Sequence, residues 1–456
     1  MRSVFNIIAF LGLLVTFVWA APTLRSIQKR SFKVERVRNA AFTGHNTPKQ
    51  LLKAHMKFGI RPPQALIDHI NAQEAARKNA TAAAANSKQK RGHKHRGKKH
   101  GNTDNTNTTA NAGTTAASST GNTTTSATTG SEVGIVTNTP TTGDVEYLSP
   151  VTIGGQTLNM DFDTGSSDLW VFNTGLSADE TTGHTLYDPN QSTTFKALSG
   201  ETFAVSYGDG SSVSGTVGTD VVNIGGAIVN AQAVELATEV SQSFVQDSSS
   251  NGLVGLAFSK LNTVQPTQQK TFFDNVQDSL AAPVFTANLK HDTAGAYEFG
   301  AIDSTQFTGT MQFVDVEADQ GFWQFTSSTF AVGDGAVQTG GAGQAIADTG
   351  TTLLLANANI INAYYSTVEG AVNNLQVGGV TIPCDATLPD LQLDVGGKMA
   401  TVKGTDLMFE QITDNTCFGG LQAIDGDLMI FGDVFFKSNF VAFDIGNNTL
   451  GFAPHA

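Results

Sequence analysis

The stretch Met160-Asp161-Phe162-Asp163-Thr164-Gly165-Ser166-Ser167 recurs in outline as Ala345-Ile346-Ala347-Asp348-Thr349-Gly350-Thr351-Thr352. Each copy brings an apolar run to an aspartate, a hydroxyl residue and a glycine. Each then leads into a second apolar run, Leu169-Trp170-Val171 or Leu353-Leu354-Leu355. A further apolar-glycine element follows each copy at a similar offset. Gly252-Leu253-Val254-Gly255 begins 89 residues after Asp163, and Ile430-Phe431-Gly432-Asp433 begins 82 residues after Asp348. A single Asp-Thr-Gly means little in a chain so rich in threonine and glycine, as the near miss Asp292-Thr293-Ala294 shows. Two copies with matching flanks and matching downstream elements indicate a duplicated half.

Outward from these copies the texture is that of short strands. Thr157-Leu158-Asn159-Met160-Asp161-Phe162 alternates polar and apolar residues, the period of a half-buried strand. Val441 to Phe452 reads as a hairpin turning at Gly446-Asn447-Asn448, and Val205-Ser206-Tyr207-Gly208-Asp209-Gly210-Ser211 as the glycine-rich tip of another. Helical spacing is rare after residue 133. Phe272, Val276 and Leu280 predict one short helix, and Ile360 to Val368 another. The expectation is an all-β domain over residues 133–456, about 320 residues and therefore two-lobed. Its lobes would run from about 133 to 310 and from about 311 to 456.

Upstream of residue 133 the composition changes sign. Of 27 basic and 40 acidic residues, residues 1–132 hold 20 and 5 and the remainder 7 and 35, giving portions of +15 and −28. A basic arm often binds nucleic acid. Here the rest of the molecule would repel phosphate, so no nucleic-acid partner is expected. A basic segment clamped onto its own acidic domain fits better.

The first 20 residues, with Arg2, an apolar run from Val4 to Val18 and then Val18-Trp19-Ala20, have the layout of a removable signal peptide. The apolar run is shorter than the roughly 20 residues of a membrane span. The expected product is thus exported and free of the membrane once the signal is removed. Residues 21–99 read as a basic propeptide with helices over Pro48–Phe58 and Gln64–Ala85, and residues 100–132 as a flexible linker of Thr, Asn, Gly, Ala and Ser. Asn79, Asn107, Asn122, Asn190 and Asn447 carry glycosylation sequons. Cys384 and Cys417 are the only cysteines; outside the cell they are most simply a disulfide, the alternative being two buried thiols.

An aspartate at the end of a buried strand, followed by Thr-Gly, is a carboxylate delivered into an apolar setting on a tight turn. If the two copies meet, Asp163 and Asp348 face each other, with Ser166 and Thr351 able to hydrogen-bond them from outside. Like charges so close cannot both ionise easily, so the pair retains one proton over a broad acidic range. The ionised member can deprotonate a shared water while the protonated member polarises a peptide carbonyl. No metal, other cofactor or covalent intermediate is needed. The histidines of residues 133–456 (His184, His291 and His455) lack metal-ligand spacing, and no Gly-x-Ser-x-Gly elbow is present. A two-carboxylate glycosidase is chemically conceivable, but nothing marks a sugar site.

Together these residues resemble the pepsin family, and within it the fungal penicillopepsin-like and endothiapepsin-like enzymes. The similarity runs from about Gly134 to Ala456 and includes Tyr147-Leu148-Ser149-Pro150-Val151-Thr152-Ile153-Gly154, Ser206-Tyr207-Gly208-Asp209-Gly210-Ser211 and Gly432-Asp433-Val434-Phe435. The resemblance implies the bilobal acid-protease fold, a monomer, and Asp163 and Asp348 as catalytic aspartates. Thr164 and Thr349 would brace the two turns, with Ser166 in support. Tyr207 would be the flap tyrosine, bonded by Trp170, and Gly208 and Asp209 would touch substrate. Leu253, Gly165, Gly350 and Thr351 would complete the cleft.

The implied substrate is extended polypeptide with apolar residues around the cut, lysine before it also being accepted through Asp209. Pepsin-family enzymes of this kind bind pepstatin-type inhibitors. Cys384 and Cys417 match the family's C-terminal-lobe disulfide, and the N-lobe disulfide of the animal enzymes has no counterpart. Lys57-Phe58-Gly59 matches the inhibitory element of the propeptide and would set Lys57 between the aspartates; the plainer reading is a lysine on a solvated helix face. Lys90-Arg91 and Lys98-Lys99 are alternative dibasic processing sites. The competing functional reading is a catalytically silent binding or inhibitor protein of the same fold, which commonly lacks an aspartate, a turn glycine or the flap tyrosine; this chain has all of them.

Overall fold

A computed structural model of the chain describes residues 31–35, 47–58, 60–73, 75–76, 147–207, 211–291, 293, 295–413 and 415–456. The proposed signal peptide, the Thr-rich linker, the dibasic sites and the sequons at Asn79, Asn107 and Asn122 lie outside these residues. The molecule is mostly strand with a few short helices, as expected of the bilobal acid-protease fold.

The duplication read in the sequence is a duplication of topology. In the first lobe the strand Gln156–Asp163 runs parallel to Gly252–Gly255, aligning Phe162 with Val254 and Asp163 with Gly255. Leu169–Val171 lies antiparallel on the other side of Gly252–Gly255. In the second lobe Gln338–Ala347 runs parallel to Leu428–Phe431, aligning Ala347 with Phe431, and Leu354–Ala356 lies antiparallel beyond it. Each set is part of a seven-stranded sheet. Strands buried on both faces read as continuous apolar runs, which explains Leu353-Leu354-Leu355 and Met429-Ile430-Phe431, each 0–1 % exposed.

A six-stranded sheet joins the halves. It contains Val284–Asn288 and Ala296–Phe299 from one side of residue 310 and Gln312–Asp315, Asn439–Asp444 and Thr449–Pro454 from the other. The last two strands form the hairpin read from the sequence, with Asp444 opposite Thr449. Asn448 takes a positive φ of 55°, a conformation asparagine tolerates better than most residues. On this sheet Phe285 and Phe443 stack face to face, and Trp323 meets both rings edge-on.

The N-terminal segment is built into this body. The strand Phe32–Glu35 adds to the edge of the six-stranded sheet beside Ala296–Phe299. The helix Thr47–Lys57 and a second helical stretch over residues 64–73 press Leu51, Ala54, Leu66 and Ile70 into one apolar cluster with Ile346, Leu353, Leu355, Phe418, Ile424 and Ile430. Those first four side chains are at most 6 % exposed. Such burial contributes about 1.5–3 kcal/mol for each large aliphatic side chain, enough to seat the segment firmly.

Cys384 and Cys417 are disulfide-bonded and close a loop of 33 residues in the second lobe. Replacing both with serine should cost about 3–4 kcal/mol of stability through the freed unfolded chain, read as a lowered denaturant midpoint with a steeper slope as the unfolded chain expands.

Candidate active site

Each duplicated strand ends by delivering its aspartate to the contact between the lobes, where Asp163 is 1 % and Asp348 0 % exposed. The turn glycines leave room for this meeting. A Cβ on Gly350 would lie 2.2 Å from Oδ1 of Asp163, and one on Gly165 would lie 2.4 Å from Oδ1 of Asp348. Each half therefore needs a glycine to admit the carboxyl of the other. Gly350→Ala should displace Asp163 and lower kcat by at least about 100-fold, the scale of a misplacement near 1 Å. Circular dichroism should show the fold retained.

The turns are tied crosswise. Thr164 N–H donates to Oγ1 of Thr349 at 3.1 Å, and Thr349 N–H donates to Oγ1 of Thr164 at 3.0 Å. Each hydroxyl then donates onward across the interface, Thr164 to the Ala347 carbonyl at 2.9 Å and Thr349 to the Phe162 carbonyl at 2.6 Å. The carboxyls have matching donors. Gly165 N–H and Ser166 Oγ reach Asp163 at 2.8 and 2.6 Å, while Gly350 N–H and Thr351 Oγ1 reach Asp348 at 3.0 and 2.5 Å.

Lys57, the last residue of the helix Thr47–Lys57, puts its ammonium between them. Nζ lies 2.8 Å from Oδ1 of Asp163 and 2.9 Å from both oxygens of Asp348, with only 6 % of the lysine side chain exposed. Burial would lower the lysine's proton affinity, but the two carboxylates outweigh it and hold Lys57 charged. Burial pushes both aspartates up. At Asp163 the Lys57 charge and the hydrogen bonds from its neighbours prevail and hold the carboxyl below its ordinary range. At Asp348 burial and the Asp163 charge prevail over Lys57, and its pKa rises to about 6. Neighbouring His55 is also buried at 1 % exposure, its Nε2 3.1 Å from the Ala423 carbonyl, and burial lowers its pKa.

Beside the carboxyls Trp170 Nε1 donates to the Tyr207 hydroxyl at 2.8 Å. Both rings pack in an apolar cluster with Phe172 and Leu253, so Leu253 sits beneath the tryptophan at 4 % exposure. Gly208 and Asp209, the latter read as the lysine-accepting residue, lie outside the described residues. The sequence reading missed a second acid group here. Asp168, two residues before Trp170, and Glu235 are buried together at 2 % and 1 % exposure, bridged by the side-chain amide of Asn262. Asp168 directly follows the quoted motif; Glu235 has no local signal and is brought there by the pairing of its strand with Trp170.

Residues 146–455 match the family model described as eukaryotic aspartyl protease. An aspergillopepsin A-like aspartic endopeptidase of Aspergillus fumigatus is 45 % identical over 455 residues, covering 97 % of either chain. Penicillopepsin-1 of Penicillium janthinellum is 49 % identical over 325 residues, 71 % of this chain and 99 % of that protein. Aspergillopepsin-1 of Aspergillus clavatus is 47 % identical over 326 residues, 71 % of this chain and 82 % of that protein. With two Asp-Thr-Gly turns meeting across duplicated halves and relatives of this closeness along its length, the chain belongs to the eukaryotic aspartyl protease family and is a peptide-bond hydrolase of the aspartic type.

Proposed function

We propose that this chain is the latent precursor of an exported endopeptidase that cuts extended polypeptides at acidic pH, with Asp163 and Asp348 as its catalytic pair and Lys57 as the plug that holds it silent. The single observation that carries this reading is the Lys57 ammonium bonded to both buried carboxyls. Once the plug leaves, a water takes its position between the carboxyls. The ionised aspartate removes a proton from that water as it attacks the peptide carbon, while the protonated aspartate donates toward the carbonyl oxygen. Collapse of the tetrahedral intermediate returns a proton to the leaving nitrogen. Tyr207, its hydroxyl held by Trp170, closes over the substrate, whose flanking side chains are accepted by an apolar cleft.

Latency responds to acid through the same contacts. The Lys57 charge lowers the proton affinity of both aspartates, so protons and Lys57 compete for the site. The clamped state has the lower carboxyl pKa values. Its advantage is therefore full above the released-state values and is lost as pH falls through the clamped ones. The Asp348 contribution is gone by about pH 6 and the Asp163 contribution only on further acidification. Buried His55 acts in the same direction. Its seated pKa is depressed, so seating is favoured above the ordinary histidine value and weakened as pH falls through the seated one. His55→Gln should shift the midpoint of acid activation downward by several tenths of a pH unit, followed by the time course of precursor shortening on gels.

The opposite charges of the two portions support a salt-sensitive clamp. The 99 % coverage of penicillopepsin-1 by 71 % of this chain supports a working enzyme that begins well after the precursor segment. Asn190 and Asn447 are exposed and available for glycans. The reading is tested by acidifying the purified precursor at low and raised salt, with N-terminal sequencing of the product. The expected result is self-cleavage and gain of peptidase activity; a precursor that stays intact and inactive under both treatments overturns it.

A further inference from the structure

The buried pair Asp168 and Glu235 is not used by the chemistry above, yet it is built into the base of the flap. Asp168 Oδ1 accepts from Thr263 N–H at 2.8 Å, Thr263 Oγ1 at 3.0 Å and Asn262 Nδ2 at 3.0 Å. Glu235 Oε1 accepts from the same Asn262 amide at 3.1 Å, and Leu169 N–H also serves Glu235. Oε2 of Glu235, buried like the rest of the side chain, has no donor among the described residues. The two carboxyls interact directly, and among the described residues neither has a cation partner.

Two carboxylates buried together without a cation are too costly to hold as anions. One proton between them removes the repulsion and gives the pair a hydrogen bond of its own. Burial and the Asp168 charge both raise the proton affinity of Glu235, which identifies it as the member that carries the proton. The other titratable groups in reach are Asp163, whose anion would be less stable beside a second one, and Tyr207, which stays a neutral phenol. Trp170, the neighbour of Glu235 in the parallel strand pairing, contributes no charge.

The geometry sets this pair to control the flap. Asp168 precedes the strand Leu169–Val171, Glu235 is paired with Trp170 across it, and Trp170 holds the Tyr207 hydroxyl. We infer that Asp168 and Glu235 are positioning residues that share one proton and seat the Trp170–Tyr207 flap, and that loss of this proton on leaving the acid range unseats it. The consequence for catalysis rests on the endopeptidase reading, whereas the seating itself does not. The sign follows from linkage. A carboxyl with a raised folded-state pKa gives stability that is full below the ordinary glutamate range and is lost as pH rises through the folded value.

The test reads Trp170 without requiring proteolysis. The full chain has three tryptophans; labelled with 5-fluorotryptophan in an Asp348→Asn background, so that it does not process itself, its fluorine NMR spectrum can be followed from about pH 4 to about pH 8, with Trp170 assigned by Trp170→Phe. The Trp170 signal should undergo a transition on the way up. In Glu235→Gln, whose amide supplies a permanent donor to Asp168, that transition should vanish or move up by more than about one pH unit. The rise in KM between about pH 4 and about pH 6.5 should shrink about tenfold in Glu235→Gln with Asp348 intact. A Trp170 signal that stays flat with Glu235 in place, or a transition unchanged in Glu235→Gln, overturns the inference. Asp168→Asn, which removes the other charge, is read the same way if the glutamine variant does not fold. Because the fluorine signal is independent of turnover, a failed endopeptidase reading and a failed flap-seating reading give different results.

Discussion

Asp348→Asn should lower peptide hydrolysis by about 10⁴-fold or more while leaving the fold in place, and Asp163→Asn should do the same. An amide neither takes a proton from water nor shares one with its neighbour, so the exchange removes the chemistry while keeping the shape. Asparagine Oδ1 can still accept from the Gly350 N–H that reaches Asp348 at 3.0 Å, while its Nδ2 can donate to the Thr351 hydroxyl oxygen once that hydroxyl rotates, so the crosswise turns should persist. The double variant should be no worse than either single one, because groups that act as a unit are not additive. The check uses variant precursor trimmed by added wild-type enzyme, since neither variant should process itself. Residual activity above about 1 % of wild type in either single variant would separate that residue from the reaction.

Lys57→Met should give a precursor that no longer stays latent. The methionine keeps the length of the side chain but leaves two buried carboxyls facing each other without the ammonium that lies 2.8–2.9 Å from them. Removing one partner of a buried ion pair costs about 3–5 kcal/mol, or roughly 10²–10³-fold or more in the equilibrium that keeps the precursor segment seated. The apolar contacts of Leu51, Ala54, Leu66 and Ile70 remain, so the segment should loosen at its tip before it detaches. The expected outcome is shortening of the precursor at pH values where the wild type is stable, with Asp348 retaining its proton to higher pH because the lowering effect of Lys57 is gone. A Lys57→Met precursor as stable and silent as the wild type would show that the plug is elsewhere.

What the sequence made legible is what repeats or what lies within one motif. The two Asp-Thr-Gly copies and their partners at similar offsets announced a doubled topology, and the parallel pairings of Asp163 with Gly255 and of Ala347 with Phe431 are its physical form. Alternation and turn residues located the C-terminal hairpin. The helix ending at Lys57 was visible from its apolar spacing. What stayed hidden depends on long-range pairing. Nothing local in Phe32–Glu35 says that it will extend a sheet against Ala296–Phe299. Glu235 looks like a surface residue of an alternating strand until the sheet sets it beside Trp170 and Asp168. The burial of His55 likewise follows only from the docking of its helix against the second lobe.

The most direct test of the shared-proton pair is titration of the acid-activated protein with pepstatin during casein digestion at about pH 3.5, within the range where one carboxyl of such a pair is protonated. Cleavage should fall linearly with added inhibitor and cease near one equivalent per molecule. Digestion that continues past that equivalence, or no digestion at any pH after activation, would contradict an active site made of Asp163 and Asp348.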